Sequence, residues 1–318
     1  MLRRYLIIFC LLVSSCAGQL QNEAGFNKYA TKLYAKALDQ GFERDFLDSN
    51  FASLEFSEKY IREDRKQFRK QSFNEYYQNA VNDLRTRQAR QKLKKHKKPL
   101  AKISKKYQIA PEYLVALWAI ESSFGKSMGN FPVLNAHANL AYEGRRRKLF
   151  ETQFFAALKI IQQNNFTADK WLGSWAGASG QCQFLPTTYL DYAVPYSGAE
   201  HPDIWGNSLD SLSSSANYLQ QIGWDYNLPW GFELEANTQL KKISTEKNFL
   251  LKDLLATKSV KPTIAQSFTK YQLEQPVNLI SYDTRYFVVF KNFHVIKEWN
   301  NSNYFALTVG LFANKLSQ

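Results

Sequence analysis

The chain of 318 residues is long enough for one large domain or for two to three small ones. Because 45% of its residues are hydrophobic and 15% are aromatic, it can build a packed core, and this composition excludes an intrinsically disordered protein. The formal net charge of +13 suits an anionic partner such as nucleic acid, anionic lipid or an anionic polymer, although an excess of surface lysine alone gives the same balance.

The N-terminus has the layout of a secretory signal peptide. Residues 2–4 contain two arginines, residues 5–13 form an apolar run, and residues 14–18 are small. The apolar run is too short for a membrane span, which needs about 20 residues. The sequence therefore predicts an exported protein.

Cys16 adds a second signal to this segment. It ends the tetrapeptide VSSC, which resembles a bacterial lipobox, where signal peptidase II cleaves before the cysteine and lipid is attached to its thiol. The alternative is ordinary cleavage after Ala17 or Gly18. We predict lipidation at Cys16, because this otherwise unexplained cysteine stands where the lipid would go, and two acyl chains would anchor the protein stably. Ala17 is compatible with the outer membrane of a Gram-negative cell, so the predicted location is the periplasmic side of that membrane.

Cys182 is the only thiol outside the export segment, which contains Cys10 and Cys16. An internal disulfide is therefore excluded. Cys182 is either a nucleophile or a small packed residue, and the second interpretation is favoured because nothing nearby looks like an activating histidine. No Cys/His cluster has the spacing of a zinc site.

Helical patterns dominate the rest of the chain. Residues 27–100 are rich in Lys, Arg, Glu and Ala, which predicts helices, and their basic run 92–98 either contacts an anionic polymer or, as we favour, is a solvated helix face. Pro111 is well placed in the first turn of a helix that ends at Gly125. Further helices are predicted at 151–163, 208–222 and 302–316, and strands at 277–280 and 286–290. The predicted fold class is mainly α (α+β).

The helix after Pro111 carries a candidate acid. Four of its residues share one stripe at helical spacing: Leu114, Leu117, Trp118 and Glu121. A carboxylic acid at the end of an apolar stripe loses hydration, which raises its pKa and keeps it protonated near neutral pH. A general acid must carry such a proton in order to protonate a glycosidic oxygen. The structural alternative is a buried glutamate paired with one of the arginines at 145–147, and the pattern alone leaves both open.

A Gly- and Ser-rich segment at 173–180 follows this helix. Its small residues let a backbone come close to a ligand or to another helix. Ser174, Gln181 and Gln183 supply neutral hydrogen-bonding groups, and several tyrosines follow. This combination is typical of sugar recognition, because sugars offer hydroxyls at their edges and C–H groups on their faces. Each aromatic residue taken alone is equally compatible with the core.

Two motifs are specific enough to indicate a family. One is ESSFG at 121–125, and the other is GSWAGASGQCQFLPTTY at 173–189. They resemble the membrane-bound lytic murein transglycosylase B family, whose pattern is E-S-x-[FW]-G followed by G-S-[WF]-A-G-A-[ML]-G-x-x-Q-F-M-P-[ST]-[ST]-[YF]. Matches at 216–219, 223–224 and 299–304 extend the resemblance over nearly the whole chain after the export segment.

The resemblance implies a lysozyme-like helical core with an N-terminal helical part and a small late β subdomain. It divides the chain into a lipoprotein signal peptide (1–16), an N-terminal helical part (17–98), a lysozyme-like catalytic core (99–229), a small β-containing subdomain (230–298) and a C-terminal helix that returns to the core (299–318).

The resemblance also implies the chemistry. The family cleaves the β-1,4 bond between N-acetylmuramic acid and N-acetylglucosamine in peptidoglycan and leaves 1,6-anhydromuramic acid ends. Glu121 aligns with the family's single catalytic glutamate, which protonates the leaving oxygen and then acts as a base on the muramyl C6 hydroxyl, assisted by the acetamido group of the substrate. Five residues align with those that line the glycan groove: Ser174, Gln183, Phe184, Tyr218 and Asn300.

The expected partners are peptidoglycan glycan strands and a membrane reached through the lipid anchor, and the resemblance leaves room for cell-wall synthesis proteins. Two alternatives remain open: a muramidase that hydrolyses the same bond with water, and a non-catalytic peptidoglycan-binding scaffold, against which the retained Glu121 argues. Nucleic acid is not an expected partner, because the chain is exported and has no recognised nucleic-acid motif.

Some members of the family bind calcium in a loop that corresponds to residues 195–201, with aspartates at the positions of Pro195 and Ala199. Calcium needs several hard oxygen ligands. The remaining donors near this loop are Ser197, Glu200, His201, Asp203 and Asp210. We therefore predict no cofactor and no metal, because the calcium loop is degraded. Asn139 is a second departure, since the family usually has threonine there.

Overall fold

The computed structural model describes residues 22–66, 71–237, 239–240 and 248–318. Cys16 and the rest of the predicted signal peptide lie outside the described residues. Helices account for 57% of the described residues, and small antiparallel sheets accompany them. The predicted fold class, mainly α with a small β part late in the chain, is confirmed.

The described helices are α1 (Glu23–Asp39), α2 (Arg44–Phe51), α3 (Glu58–Arg65), α4 (Phe73–Ala80), α5 (Asp83–Lys95), α6 (Lys97–Tyr107), α7 (Pro111–Ser122), α8 (Val133–Glu143), α9 (Arg147–Asn164), α10 (Pro186–Tyr192), α11 (Ser208–Gln221), α12 (Leu251–Ala256), α13 (Lys270–Leu273), α14 (Lys291–Trp299) and α15 (Asn303–Ser317). The described strands are β1 (Phe131–Pro132), β2 (Leu172–Gly173), β3 (Gly231–Leu234), β4 (Asn248–Leu250), β5 (Pro276–Tyr282) and β6 (Arg285–Val289). None of the described helices is long and apolar enough to cross a membrane.

Helix α7 lies at the centre of the first hydrophobic core. Pro111 begins it, and every residue from Leu114 to Ala119 is buried. The helix packs against α5, α6, α11 and α15. A helix that is apolar on all sides can be stable only when neighbours cover all of it. The sequence and the packing of α7 therefore agree along its whole length.

The N-terminal helices build a second core with α8 and α9. Two asparagines of α8 hold the segment before α3: Asn135 Oδ1 accepts a hydrogen bond from the Glu55 amide at 3.1 Å, and Asn139 Oδ1 accepts one from the Ser57 amide at 2.9 Å. Asn139 Nδ2 also donates to the Glu55 carbonyl at 2.9 Å. Buried backbone groups need such partners. Asn139, the departure from the family threonine, is therefore a structural residue that joins the N-terminal helices to α8.

The late β part forms a four-stranded antiparallel sheet in the order β3-β6-β5-β4. Its register pairs Gly231 with Val289 between β3 and β6, and Leu279 with Val288 between β5 and β6. A third hydrophobic core contains only residues between Leu228 and Phe290. The division of the chain into the five predicted parts stays a prediction.

The sequence does not predict the helices α8, α10, α12, α13 and α14. Residues Val133 to Ala141 of α8 are all buried, so this helix lacks the polar face that gives amphipathic periodicity. The two predicted strands agree well with the structure. Strands β5 and β6 cover all of their residues except Phe290, which lies between β6 and α14.

Candidate active site

Glu121 is the next-to-last residue of α7, and it is only partly buried. The chain leaves the helix through three consecutive residues with positive φ: Ser123 at 49°, Phe124 at 64° and Gly125 at 83°. Serine and phenylalanine rarely adopt this left-handed conformation, which costs free energy and is found most often at functional sites. Helix α7 therefore stops abruptly beside the acid.

Hydrogen bonds to Gln181 fix this helix end. Ser122 Oγ donates to the Gln181 carbonyl oxygen at 2.6 Å and accepts from the Gly125 amide at 3.0 Å. Trp118 Nε1 donates to Gln181 Oε1 at 3.0 Å, and Gln181 Nε2 donates to the Trp205 carbonyl at 3.0 Å. Gln181 is buried, so it links α7 to the Gly/Ser-rich segment and does not offer its amide to a sugar.

Burial raises the pKa of Glu121 from its ordinary value of 4.5 to about 8, and a side-chain hydrogen bond with the Trp299 indole partly opposes this rise. The arginine-paired alternative is wrong. Arg145 and Arg146 both pair with Asp64, while the Arg147 guanidinium donates to the Ala141 carbonyl at 3.2 Å. Glu121 is thus a protonated acid near neutral pH, which is one of the two interpretations that its helical stripe leaves open.

Aromatic rings form one wall beside Glu121. The Trp299 ring centroid lies 5.3 Å from that of Phe184 and 5.1 Å from that of Tyr218. Phe184 and Tyr218 are themselves 5.8 Å apart. Asn300 follows Trp299 directly and is exposed at the end of α14. Two of the five predicted groove residues, Phe184 and Tyr218, therefore pack against the indole that bonds the acid, and Asn300 is the next residue in the chain after this indole.

Tyr76 of α4 lies near the acid. Burial raises the pKa of its phenol, and the nearby Glu121 carboxylate raises it further. Its ring is 5.7 Å from that of Tyr304 on α15. Sequence reasoning missed Tyr76, because an aromatic residue in a polar helical segment gives no signal of its place in space. Trp299 was found only as part of a motif, without a role.

Ser174 and Gln183 hold the shape of the loop that carries them. Ser174 Oγ accepts a hydrogen bond from the Ala178 amide at 3.1 Å. Gln183 Nε2 donates to the Met128 carbonyl at 3.1 Å and to the Gly180 carbonyl at 2.9 Å. Gln183 directly precedes Phe184, so the loop brings its amide next to the aromatic wall. The assignment of all five residues to a glycan groove stays a prediction.

Gly177 shows why this loop needs a glycine. Its φ is 81°, and a Cβ atom there would lie 2.2 Å from Cε1 of the buried His137 ring. Cys182, farther along the loop, is buried, and burial raises the pKa of its thiol to about 12. A thiol that stays protonated at neutral pH is a poor nucleophile, which supports the packed-residue interpretation of Cys182.

The residues of the former calcium loop do not fit a calcium ion. Asp210 is buried, and its two carboxylate oxygens accept hydrogen bonds from the Tyr196 and Asp203 amides, each at 2.9 Å. Lys102 and Lys106 line a cavity of about 330 Å³ together with Tyr196, and their charges disfavour a cation. Among the described residues, no group of three or more His, Cys, Asp or Glu side chains could hold a metal ion.

Comparison with known proteins identifies a matching family, described as the transglycosylase SLT domain, over residues 25–314. A curated relative, membrane-bound lytic murein transglycosylase B of Escherichia coli (strain K12), is 28% identical over 212 residues. This alignment covers 64% of the chain and 56% of the relative, so the chain matches little more than half of that protein's length.

Solved structures share the fold. Two structures of SltB3 from Pseudomonas aeruginosa, in complex with NAG-NAM-pentapeptide and with NAG-anhNAM-pentapeptide, are 32% identical and give TM-scores of 0.85 and 0.84. Both comparisons cover 92% of this chain and 79% of SltB3. The Escherichia coli lytic transglycosylase Slt35 in complex with calcium gives a TM-score of 0.79 at 22% identity, with 93% of each chain covered. At that identity the likeness to Slt35 concerns the fold alone.

Glu121→Gln should raise the free energy of unfolding at neutral and alkaline pH. The carboxyl of the unfolded chain ionises near pH 4.5, whereas the folded protein keeps it neutral up to about pH 8. The wild type therefore loses stability as the pH rises between these values, and the loss is complete above pH 8. The free energy of unfolding of the glutamine variant should exceed that of the wild type by an amount that grows from near zero at pH 4 to a few kcal/mol above pH 8. This difference should grow by about 1.4 kcal/mol per pH unit.

Urea unfolding at pH 4, 6, 8 and 9 measures this difference. Glu112→Gln, in the first turn of the same helix, is the matched control and should show no such growth with pH. If Glu121→Gln is no more stable than the wild type, or is more stable by the same amount at every pH, the folded protein does not hold this carboxyl neutral.

Asp210→Ala should destabilise the protein, while removal of calcium should not. The substitution leaves two backbone amides without their charged acceptor, and each such loss costs about 1.5–3 kcal/mol. Thermal unfolding in EDTA and in calcium chloride should give one Tm for the wild type. Glu200→Ala, in the exposed loop that precedes α11, is the control and should leave Tm nearly unchanged. A wild-type Tm that rises by several degrees with calcium would contradict this account of the loop.

Proposed function

Because the chain belongs to the transglycosylase SLT domain family, we propose that it is a peptidoglycan lytic transglycosylase that cleaves the β-1,4 bond between N-acetylmuramic acid and N-acetylglucosamine and leaves 1,6-anhydromuramic acid ends. The observation that carries this proposal is Glu121, an acid with a pKa of about 8 that borders an aromatic wall. The complexes of the related SltB3 with NAG-NAM- and NAG-anhNAM-pentapeptide support the substrate and the product.

Glu121 acts first as a general acid. It is protonated at neutral pH, so it can give its proton to the glycosidic oxygen as the bond to the muramyl C1 breaks. The Trp299 indole stabilises the carboxylate that remains, because its hydrogen bond favours the charged form. The partly exposed rings of Trp299 and Tyr218 offer faces on which sugar C–H groups can pack, while the buried Phe184 ring supports them from behind.

Glu121 then acts as a base. Its carboxylate takes the proton of the muramyl C6 hydroxyl while the C6 oxygen bonds to C1, which closes the 1,6-anhydro ring. The acid is protonated again at the end of the cycle, and no water is consumed. We assign Ser174, Gln183 and Asn300 to the groove together with the aromatic wall, and Tyr76 to its other side.

The surroundings of Glu121 favour chemistry with one carboxylate. Glycosidases that use two carboxylates hold them about 5–9.5 Å apart, and a like charge at that distance raises the pKa of the acid. Within the described part of the chain, the pKa of Glu121 is set by burial and by Trp299, without a contribution from another acid. The nucleophile is then best supplied by the substrate itself, which is what distinguishes a transglycosylase from a hydrolase.

We further propose that the protein is an exported lipoprotein, anchored through Cys16 to the periplasmic face of the outer membrane. The VSSC tetrapeptide and the similarity to a membrane-bound relative in Escherichia coli support this location. An anchored enzyme would stay within reach of the cell wall. Contact with cell-wall synthesis proteins stays open.

Muropeptides released from isolated peptidoglycan should be one water lighter than hydrolysis products, and borohydride should not reduce their ends. Glu121→Gln should lower the rate about 10²- to 10⁴-fold, because the variant loses its general acid and base. The wild-type kcat/KM should fall as the pH rises through about 8, where Glu121 loses its proton. Mass spectrometry of the products and a pH–rate profile measure these effects.

Glu112→Gln is the control for removal of a charge from α7 and should keep full activity. Reducible ends would identify a muramidase and overturn the transglycosylase proposal. Binding of peptidoglycan by the wild type without release of muropeptides would instead favour the scaffold interpretation.

Cys16→Ser should release the protein from the membrane fraction. The serine hydroxyl cannot take the place of the thiol in lipid attachment, so the variant should lose incorporation of labelled palmitate and appear in the periplasmic fraction. Cys182→Ser is the matched control and should stay labelled and membrane-bound. Equal labelling of the wild type and Cys16→Ser would contradict the anchor.

A further inference from the structure

The hairpin of α5 and α6 is a concentration of positive charge without acidic residues between Leu84 and Pro111. Residues 84–111 contain 11 lysines and arginines and not one acid, compared with a net charge of +13 for the whole chain. The proposed reaction uses none of these cations. Concentrated charge of one sign is unfavourable for the folded protein and usually serves recognition of an oppositely charged partner.

One part of this charge reaches the candidate active site. Lys92 is partly buried at the end of α5, with its Nζ atom 4.8 Å from the Trp118 ring centroid and 5.8 Å from that of Phe124. Trp118 stands one helical turn before Glu121, and Phe124 lies three residues after it. The ammonium group therefore lies over the two rings that flank the acid along the chain.

Lys95 and Lys126 complete a group of three cations, which we term the lysine cluster (Lys92, Lys95 and Lys126). Partial burial lowers the pKa of Lys92, and the positive charges of Lys95 and Lys126 lower it further. Among the described residues, no acid lies within ion-pair distance of the three ammonium groups, although eight other ion pairs are formed. The cluster is thus a set of mutually repelling charges without an internal counter-charge.

Helix stability explains only part of the cluster. Lys92 and Lys95 lie in the last turn of α5, where positive charge favours the C-terminal end of a helix. Lys126 lies in a different segment, after α7, and gains nothing from that effect. An anion that arrives from outside would relieve the repulsion among all three lysines, and its binding would be strengthened by the partial burial of Lys92.

We propose that the lysine cluster binds the carboxylates of the peptide stems that a peptidoglycan strand carries, so that the enzyme prefers strands with charged stems to strands whose stems are neutral. This inference rests on the proposed function. In a peptide-bearing strand the N-acetylated sugars are neutral, because the lactyl carboxyl of N-acetylmuramic acid is bound in the amide link to its stem. The carboxylates of the stems are therefore the negative charges that such a strand can bring to the lysine cluster.

An anionic membrane surface fits the cluster less well. Asn22 follows Cys16 by six residues, which span at most about 20 Å. The Asn22 amide bonds the Tyr142 hydroxyl of α8 at 3.4 Å, and α1 packs against α2 and α8. Helix α5 packs against α6, α7 and α15 instead. A lipid on Cys16 would thus hold the protein by a different set of helices from those that carry the cluster.

The cluster leaves the acid itself unchanged, because burial and Trp299 set the pKa of Glu121. We therefore expect the cluster to act on KM and not on kcat or on the alkaline limb of the pH–rate profile. The test compares the full wild-type chain with Lys92→Gln/Lys126→Gln on two substrates: peptide-bearing glycan strands, and the same strands after their stem carboxylates have been converted to neutral amides.

On peptide-bearing strands the double variant should raise KM about tenfold, the combined effect of two ion contacts at a partly exposed site. Neutralisation of the stem carboxylates should raise the KM of the wild type by a similar factor, and the double variant should add nothing further on the neutralised strands. Lys28→Gln/Lys32→Gln on α1 removes the same charge from an exposed remote face and should leave both KM values unchanged.

An equal rise of KM on both substrates, or no rise on either, would overturn the inference while leaving the transglycosylase activity established. Loss of binding to phosphatidylglycerol vesicles by Lys92→Gln/Lys126→Gln, with an unchanged KM, would assign the cluster to the membrane. A wild type that cleaves neither substrate would instead contradict the proposed function, and this inference with it.

Discussion

Burial of one carboxylic acid is the constraint on which the other features of the site depend. Helix α7 is apolar on all its faces, and it is stable only because α5, α6, α11 and α15 enclose it. A glutamate at the end of such a helix cannot keep the hydration that its charge needs, so it stays protonated to about pH 8. The same packing that stabilises the fold therefore raises the pKa of this carboxyl. The folded state loses stability at every pH at which the carboxyl of the unfolded chain is ionised.

The surrounding elements hold this acid in place and leave it accessible. The left-handed residues Ser123 and Phe124 end the helix immediately after it, and Gln181 ties that end to the Gly/Ser-rich segment. Trp299 arrives from the far end of the chain, after the β sheet, and gives the carboxylate its hydrogen bond. Residues from the middle and the end of the chain thus surround the Glu121 carboxyl group.

The sequence predicts the parts of the site that depend on local pattern. Pro111 and Gly125 mark the limits of α7 closely, and the stripe that ends at Glu121 indicates a glutamate with an apolar environment, either protonated or paired with an arginine. Tyr76 and the role of Trp299 could not be predicted from the chain alone, because their positions depend on how distant helices pack. The interpretation of Gln181 as a sugar-binding amide is wrong, because this side chain is buried and its hydrogen bonds join two segments of the protein. Asp210 was recognised as a candidate ligand of a degraded loop, but its hydrogen bonds to two backbone amides appear only in the fold.

The pKa of Glu121 is the quantity that tests this account most directly. The wild-type protein, labelled with carbon-13 at the side-chain carboxyl of glutamate, can be titrated by NMR, with Glu121→Gln identifying the signal that belongs to this residue. The account predicts one carboxyl resonance that titrates with a midpoint of about 8 and is missing from the variant. A midpoint near 4.5 would mean that Glu121 is a charged, solvated carboxylate at neutral pH, and the general-acid mechanism derived from its burial would have to be abandoned.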